Sequence, residues 1–268
     1  MPSNSADRGM SLSTIAGPSL LVPLGALGLV FGSFVTALSY RLPRGESVAR
    51  GRSHCPACGH VLTVPDLLPI LSWVAQGGAC RHCRAQVSWR YPAIEAVTMA
   101  LFIAAGLAAA DLTHLVLLLA MTPVMVALAV IDLEHQRLPN SLTIMLAMLA
   151  LAWRWRGDGD ILSGLTAAAA VALLGALLNV GFRKLKGKPG LGMGDTKLFA
   201  LAGLALPLGS YLLFMTIAGV LGVIWGGLWR WRLGISHFPF APAILAAYWL
   251  SLVAGETLLE RLVILRMG

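Results

Sequence analysis

Residues 113–131 read THLVLLLAMTPVMVALAVI, an apolar run of 19 residues that ends directly before Asp132. About 20 consecutive apolar residues are needed for a helix to cross the hydrocarbon core of a bilayer. The whole chain has a matching composition, since 57% of its 268 residues are hydrophobic and only 12% are charged. A soluble domain usually carries about 25% charged residues. The sequence therefore predicts an integral membrane protein.

Seven further apolar blocks lie along the chain, and their lengths favour helices over the alternating strands of a membrane barrel. We therefore expect an all-α polytopic fold with about eight membrane helices. The blocks at 139–153 and 196–209 are short for a span, so tilt, local thinning of the bilayer or burial in the bundle is expected for them. The predicted spans are 18–40, 92–110, 113–131, 139–153, 160–182, 196–209, 210–231 and 239–259.

The predicted spans leave one large polar segment, residues 41–91, between a first membrane helix at 18–40 and a helical bundle at 92–268. Residues 1–17 are polar and small, and they lack the basic region and short apolar stretch of a secretory signal peptide. We interpret them as a flexible N-terminal tail.

The basic residues are distributed unevenly between the two sides that these spans define. Fifteen of the 20 Lys and Arg residues fall on one side, the side that carries the 41–91 loop. An excess of Lys and Arg marks the cytoplasmic side of a membrane protein. The net charge of +8 therefore indicates the topology of the chain in a lipid bilayer, with both termini facing outward. No nucleic-acid binding is expected.

All four cysteines lie in the cytoplasmic loop as two C-x-x-C pairs with 21 residues between them. This spacing is close to that of a four-cysteine zinc site, and a redox pair is the alternative. Four thiolates leave no coordination position for water, so the expected zinc is structural and orders a loop with few apolar residues. The predicted ligands are Cys55, Cys58, Cys80 and Cys83, and the flanking histidines His54, His60 and His82 are expected to be solvated.

Two of the twelve acidic residues lie where apolar helices meet the predicted cytoplasmic interface. Asp132 follows the third span in VIDLEHQRLPN (130–140), and Asp195 precedes the sixth in GLGMGDTK (190–197). Ionisable groups at the edge of the hydrocarbon are costly and are usually functional. Two carboxylates on one side of the membrane suggest aspartic catalysis, in which a carboxylate pair shares one proton across a water.

Each aspartate also has a simpler interpretation. Asp132 can be a solvated carboxylate at a helix end, and Asp195 can be the N-cap of the following helix, alone or in addition to a catalytic role. Gly192 and Gly194 either supply the turn or let a substrate strand approach the carboxylate closely.

Two other polar residues lie within predicted spans. Glu95, one turn into the second span, is expected to have a structural role, with a place at the site as the alternative. Asn179, inside the fifth span, is expected to make an interhelical hydrogen bond.

The ordered set of motifs resembles the prepilin peptidases, also called type IV leader peptidases, over nearly the whole chain after residue 20. A G-x-G-D motif alone would be less specific, because other intramembrane aspartic proteases share it. The matching pieces are Gly32-Ser33-Phe34 through Arg41-Leu42-Pro43, the paired C-x-x-C motifs, Ser88-Trp89-Arg90-Tyr91-Pro92 with Glu95, the Asp132 segment ending in Pro139-Asn140, and Gly192-Met193-Gly194-Asp195-Thr196-Lys197.

This resemblance implies a bacterial inner-membrane enzyme that removes the leader of type IV prepilins and type II secretion pseudopilins on the cytoplasmic side. It implies that Asp132 and Asp195 are catalytic and that Gly192, Gly194 and Lys197 belong to the active-site loop. Many members also methylate the new N-terminal amine with S-adenosylmethionine, and such members carry a cysteine-bearing loop. Many relatives have aspartate where this chain has Asn140, which removes one possible carboxylate here.

Two other classes of protein remain compatible with these residues. A transporter or channel would use the two aspartates as proton or cation sites, although no inverted repeat is visible in the sequence. An assembly protein would recognise pilins without cutting them. No G-x-G-x-x-G follows a predicted strand, so the sequence contains no Rossmann-type site for the methyl donor, and only the first loop suggests itself.

Overall fold

The computed structural model describes residues 18–48, 50–187, 190–234 and 238–267, so the predicted tail at 1–17 lies outside the described residues. Within these ranges the regular structure is helical, with two isolated β-bridges, His54 to Val61 and Ala79 to Gln86. The prediction of an all-α protein is confirmed. The chain divides into two compact units, one up to Pro123 and one from Val124 onward.

The first unit contains two long helices and a polar loop. Helix α1 spans Pro18–Arg41, the short helix α2 spans Leu71–Ala75 and helix α3 spans Arg90–Ala108. Helices α1 and α3 pack closely, because a Cβ at Gly28 would lie 2.7 Å from the Cα of Met99 and a Cβ at Gly32 would lie 2.6 Å from the Cα of Glu95. Small residues let membrane helices approach in this way. Helix α4, Leu112–His135, then leads from the first unit into the second.

The polar loop between α1 and α3 is ordered partly by a capped turn at its centre. The short 3-10 helix Val64–Leu67 begins after Thr63, whose backbone N–H and hydroxyl both donate to the Asp66 carboxylate, at 3.0 and 2.6 Å. Arg81 forms an ion pair with Asp66 at 3.2 Å. The Thr63 hydrogen bonds, with a smaller contribution from Arg81, hold the pKa of Asp66 below its usual range. This carboxylate therefore connects the middle of the loop to the second cysteine pair.

The second unit is built from the end of α4 and five further helices. Helix α7 packs against α5, α6 and α9, and α8 packs against α9. Helix α6 begins where Asp160 caps it by accepting the Ser163 N–H, at 3.0 Å. The bounds are α5 Asn140–Arg156, α6 Ile161–Lys186, α7 Met193–Ala205, α8 Leu208–Leu233 and α9 Ala241–Met267.

Five of the described helices are long and apolar enough to cross a membrane: α1, α3, α4, α6 and α8. They coincide with the predicted spans at 18–40, 92–110, 113–131, 160–182 and 210–231, so the chain is a multi-pass membrane protein. The other three predicted spans fall on α5, α7 and α9. Helices α5 and α7 have only 17 and 13 residues. The total of eight spans therefore stays a prediction.

Candidate functional site

The glycine segment positions Asp195 within the first turn of α7. Gly192 is the N-cap of this helix and Asp195 is its third residue, so the interpretation of Asp195 as the N-cap is wrong. Gly192 has φ −59° and ψ 138°, which any residue can adopt. The glycine is required for space, because a Cβ at position 192 would lie 2.8 Å from Oδ2 of Asp195. The Asp195 carboxylate therefore lies directly against Gly192.

Asn179 fixes the backbone that leads into this turn. Its Oδ1 accepts the N–H of Leu191 at 3.0 Å, and the residue is only 6% exposed. The sequence predicted a bond between helices, whereas the observed bond runs from α6 to the glycine segment. The signal for this role was an amide inside an apolar span, but the sequence does not show which backbone group it meets.

Asp132 lies in the last turns of α4 and is 7% exposed. Its Oδ2 accepts the N–H of Ala241 at 3.2 Å, at the first residue of α9. The alternative of a solvated carboxylate is therefore wrong for Asp132. The free N–H groups of a helix N-terminus carry partial positive charge and favour an anion, which compensates in part for the loss of water.

The Asp132 segment and the Asp195 segment lie against each other. A Cβ at Gly194 would lie 2.9 Å from the Leu138 side chain, so the glycine admits the turn that follows α4. Lys197 donates from Nζ to Oδ1 of Asn140 at 2.8 Å. The structure thus places the glycine segment and Lys197 against the segment that follows Asp132.

The electrostatics of Asp195 report the nearness of Asp132. Asp195 lies at the start of α7, outside the five candidate spans. Burial, together with the negative charge of Asp132, raises the pKa of Asp195 to about 6. A carboxyl group with a raised pKa next to a second carboxylate is the arrangement that lets a pair hold one proton near neutral pH.

The four cysteines form one cluster, with all ligand atoms within 4.8 Å of one another. The Sγ atoms of Cys55 and Cys83 are 3.9 Å apart. Four sulfurs bound at about 2.3 Å to a tetrahedral zinc ion are separated by about 3.8 Å, so the cluster fits zinc. The two pairs share one backbone shape, because Gly59 and Arg84, which directly follow the second cysteine of each pair, both have positive φ, 70° and 61°.

The thiols of the cluster differ in acidity. Backbone N–H groups of Cys83 and His82 lower the pKa of the Cys80 thiol to about 7. For Cys83 the N–H of Ala85 acts in the same direction, but burial and the neighbouring thiols outweigh it and raise the pKa to about 11. A bound cation would favour the thiolate form of these cysteines. His60 and His82 stack on each other with centroids 4.6 Å apart and lie outside the cluster of ligand atoms.

A cavity of about 480 Å³ lies between the cysteine loop and helices α1 and α3. Its volume is within the range of small-molecule sites. Aromatic rings of Tyr40, Trp73 and Tyr91 line it together with the carboxylates of Glu46, Asp66 and Glu95. Glu95 is thus a buried residue of α3 that lines this cavity, in agreement with the structural role expected from the sequence.

The fold and sites so far define a class: a helical membrane protein with two aspartates whose charges interact and four clustered cysteines that could hold a metal ion. Comparison with known families makes the class specific. The model described as "Bacterial Peptidase A24 N-terminal domain" matches residues 26–109, and the one described as "Type IV leader peptidase family" matches residues 117–227. The chain belongs to the type IV leader peptidase family, and it is a peptidase of that family.

Curated relatives agree with this assignment. The prepilin leader peptidase/N-methyltransferase of Bacillus subtilis is 31% identical over 257 residues, which cover 93% of this chain and 100% of the relative. The protein of the same description from Myxococcus xanthus is 39% identical over 217 residues, 79% of this chain and 62% of the relative. A type 4 prepilin-like proteins leader peptide-processing enzyme of Escherichia coli is 30% identical over 239 residues, 81% of this chain and 87% of the relative. No solved structure shows a significant match.

Family membership separates the three classes that the sequence left open. A peptidase is favoured over a transporter that stores protons or cations on the aspartates and over an assembly protein that only binds pilins. The prediction of the family from the ordered motifs is confirmed.

Proposed function

We propose that this chain cleaves the leader peptide of type IV prepilins and type II secretion pseudopilins at the cytoplasmic face of a bacterial inner membrane, with Asp132 and Asp195 as the catalytic carboxylates. The observation that carries the proposal is the close approach of the two aspartate segments, through Leu138 against Gly194 and the Lys197–Asn140 hydrogen bond. Both carboxylates lie near helix ends, so they would reach a scissile peptide bond at the membrane surface.

The pair performs acid–base chemistry on the scissile amide. One carboxylate takes a proton from water, and the resulting hydroxide equivalent bonds to the carbonyl carbon. The other, protonated carboxyl donates its proton as the carbon–nitrogen bond breaks and the amine leaves. Gly192 leaves room for the Asp195 carboxylate during these steps. The products are a leader that ends in a carboxylate and a pilin with a free N-terminal amine.

The topology of the proposal follows the distribution of basic residues. Eight spans place Asp132, Asp195 and the 41–91 loop in the cytoplasm, with both termini outside. A pilin leader is itself cytoplasmic and precedes an apolar helix, so its cleavage point lies at the same interface.

Zinc is proposed to be a structural ion held by Cys55, Cys58, Cys80 and Cys83. The spacing of the sulfur atoms supports this assignment. Four thiolates would fill a tetrahedral ion and leave no coordination position for a reacting water. When bound, the ion would supply a cross-link between two distant parts of a polar loop.

We also propose that the chain methylates the new pilin amine and that the cavity beside the cysteine loop holds S-adenosylmethionine. The residues fit this donor, because it carries a sulfonium and an ammonium group. Carboxylates such as Glu46 and rings such as Tyr40 and Trp73 attract cations. The donor supplies the methyl group, and the residues of this chain bind it and exclude water.

The central test is cleavage of a prepilin by purified protein in detergent, with mass spectrometry of the mature pilin N-terminus. Asp132→Asn and Asp195→Asn should each reduce the rate at least about 1,000-fold, as expected when an acid–base pair is broken. Glu134→Gln is the matched control, because Glu134 is an exposed carboxylate in the same segment as Asp132. Full cleavage by either aspartate variant, or no cleavage by the wild type, contradicts the assignment.

A further inference from the structure

The backbone at Ile70, in the polar loop before α2, has an uncommon conformation. Ile70 has φ 59° and ψ −49°. The N–H of Leu71 donates to the carbonyl of Pro69, so Ile70 is the central residue of a γ-turn with positive φ. This turn is rare and strained, and a β-branched side chain is especially unfavourable in it. Such a conformation persists only where neighbouring structure holds it.

The Glu95 carboxylate is the group that holds this turn. Its Oε2 accepts the N–H of Ile70 at 2.7 Å, and the side chain is buried in α3, with the residue only 7% exposed. This distance is at the short end of the range for N–H···O hydrogen bonds, about 2.7–3.2 Å. Helix α3 thus holds the polar loop through a hydrogen bond to the backbone N–H of Ile70.

The hydrogen bond between Glu95 and Ile70 lies next to residues that line the cavity. Leu67, on one side of Ile70 in the chain, and Ser72 and Trp73, on the other, line the cavity, whereas Ile70 itself does not. Trp73 is held at its other end by the bond from its Nε1 to the carbonyl of Val87, at 3.0 Å. The turn at Ile70 therefore adjoins the segment that carries the Trp73 ring in the cavity wall.

We propose that Glu95 is a positioning residue for methyl transfer: it holds the turn at Ile70 and thereby fixes the Leu67–Trp73 wall against the bound methyl donor. The inference rests on the proposed function, specifically on the placement of S-adenosylmethionine in this cavity. It gives Glu95 no part in peptide cleavage, because the Asp132 and Asp195 carboxylates perform that step.

The test compares methylation with cleavage in the full-length protein. Glu95→Ala should raise the KM for S-adenosylmethionine at least tenfold, while prepilin cleavage stays within twofold of the wild type. Glu95→Gln keeps an acceptor oxygen and should give an intermediate KM. Retained cleavage in each variant shows that the protein has folded.

A second substitution tests the turn itself. Glycine adopts positive φ without a steric penalty, so Ile70→Gly should lower the KM of the Glu95→Ala protein towards that of the wild type. Thr98→Val is the matched control, since Thr98 is a buried polar residue of the same helix whose hydroxyl donates only to the carbonyl of Ile94 and does not line the cavity. It should leave both reactions unchanged.

The outcomes separate this inference from the function on which it rests. If the wild type cleaves but never methylates, the methyl-transfer proposal fails and this inference fails with it. If the wild type methylates and Glu95→Ala has an unchanged KM, only the inference is overturned. It is also overturned if cleavage and methylation fall equally, or if Ile70→Gly gives no recovery.

Discussion

Gly192 and Asp195 lie within one turn of backbone, and their relation explains the first glycine of the G-x-G-D motif. The φ of Gly192 is −59°, so the backbone conformation would accept any residue. The Asp195 carboxylate, however, occupies the space where a side chain at 192 would begin. The second glycine admits Leu138 from the other aspartate segment. Each glycine therefore makes room for a side chain of this chain's own site.

We expect Gly192→Ala to displace the Asp195 carboxylate and to lower prepilin cleavage at least about tenfold, because small misplacements of catalytic groups have large effects. The measurement is kcat for cleavage in detergent. Met193→Ala is the matched control, since the Met193 side chain is 66% exposed between the two glycines. Equal rates for Gly192→Ala and the wild type would show that the carboxylate does not need its observed position.

The acidity of Asp195 predicts a pH dependence. Its pKa is raised to about 6, so this carboxyl keeps its proton to a higher pH than an ordinary aspartate, whose pKa is about 3.9. An acid–base pair with one proton should therefore lose activity on the alkaline side near pH 6 and not near pH 4. Because the raised pKa means that the folded state binds the proton more tightly, stability should also fall as pH rises between about 4 and 6.

The measurement is kcat for cleavage against pH, and the observed values belong to the carboxylate pair. Glu134→Gln should give the same profile as the wild type, because Glu134 lies outside the pair. A profile that shows no alkaline decline would contradict the prediction that the carboxylate pair must hold one proton.

At the scale of elements, the contact between α6 and α7 fixes the position of the helix end that carries Asp195. Gly175 of α6 faces Thr196 of α7, and a Cβ at 175 would overlap the Thr196 methyl group. The Thr196 hydroxyl donates to the carbonyl of Gly192 at 3.1 Å. Because Thr196 directly follows Asp195, the packing of α6 against Thr196 also constrains the position of the Asp195 carboxylate.

We expect Gly175→Ala to destabilise the protein by about 1–3 kcal/mol, the usual cost of overpacking, and to lower cleavage. Thr196→Ser removes the methyl group and keeps the hydroxyl, so the double variant should recover both properties. Thermal unfolding in detergent and the cleavage assay measure them.

Gly181→Ala provides the control for this pair. Gly181 lies in the same helix, and no atom lies within 4 Å of a Cβ placed there. Since alanine favours a helix more than glycine does, this variant should be neutral or slightly more stable. Equal effects at positions 175 and 181 would mean that the α6–α7 contact is not as close as described.

At the scale of the whole molecule, the protein consists of two compact units that differ in what keeps them ordered. The first contains the polar cysteine loop, and the second contains both aspartates. A loop with few buried apolar residues needs a cross-link to stay ordered. The four clustered cysteines could supply that link by holding a metal ion, and they belong to the first unit.

We expect Cys58→Ser or strong chelation to remove zinc and to make the 51–88 segment sensitive to protease, because two thiolate pairs then lose their common ion. Metal analysis of purified protein and limited proteolysis check both effects. His60→Ala should retain its zinc, since His60 lies outside the cluster of ligand atoms. Purified wild-type protein without zinc would contradict the metal assignment.

Much of this organisation could be predicted from local sequence. The five candidate spans were visible as apolar runs, because a helix in lipid must satisfy its own backbone and cover about 30 Å with apolar side chains. The cysteine cluster was visible because spacing alone restricts a tetrahedral site. For α5 and α7 the apolar run predicted a helix, but at 17 and 13 residues it did not decide whether the helix crosses the membrane.

By itself, the sequence determined the membrane class and the family and identified the two aspartates as candidates, since these inferences depend on composition and on ordered local motifs. The tertiary structure decided which partners those residues meet. It placed the Ala241 N–H on Asp132, made Gly192 and not Asp195 the N-cap, and turned Asn179 toward the glycine segment. The physical reason is that a hydrogen bond or a close contact between residues distant in the chain is set by how helices pack, and no local pattern specifies that packing.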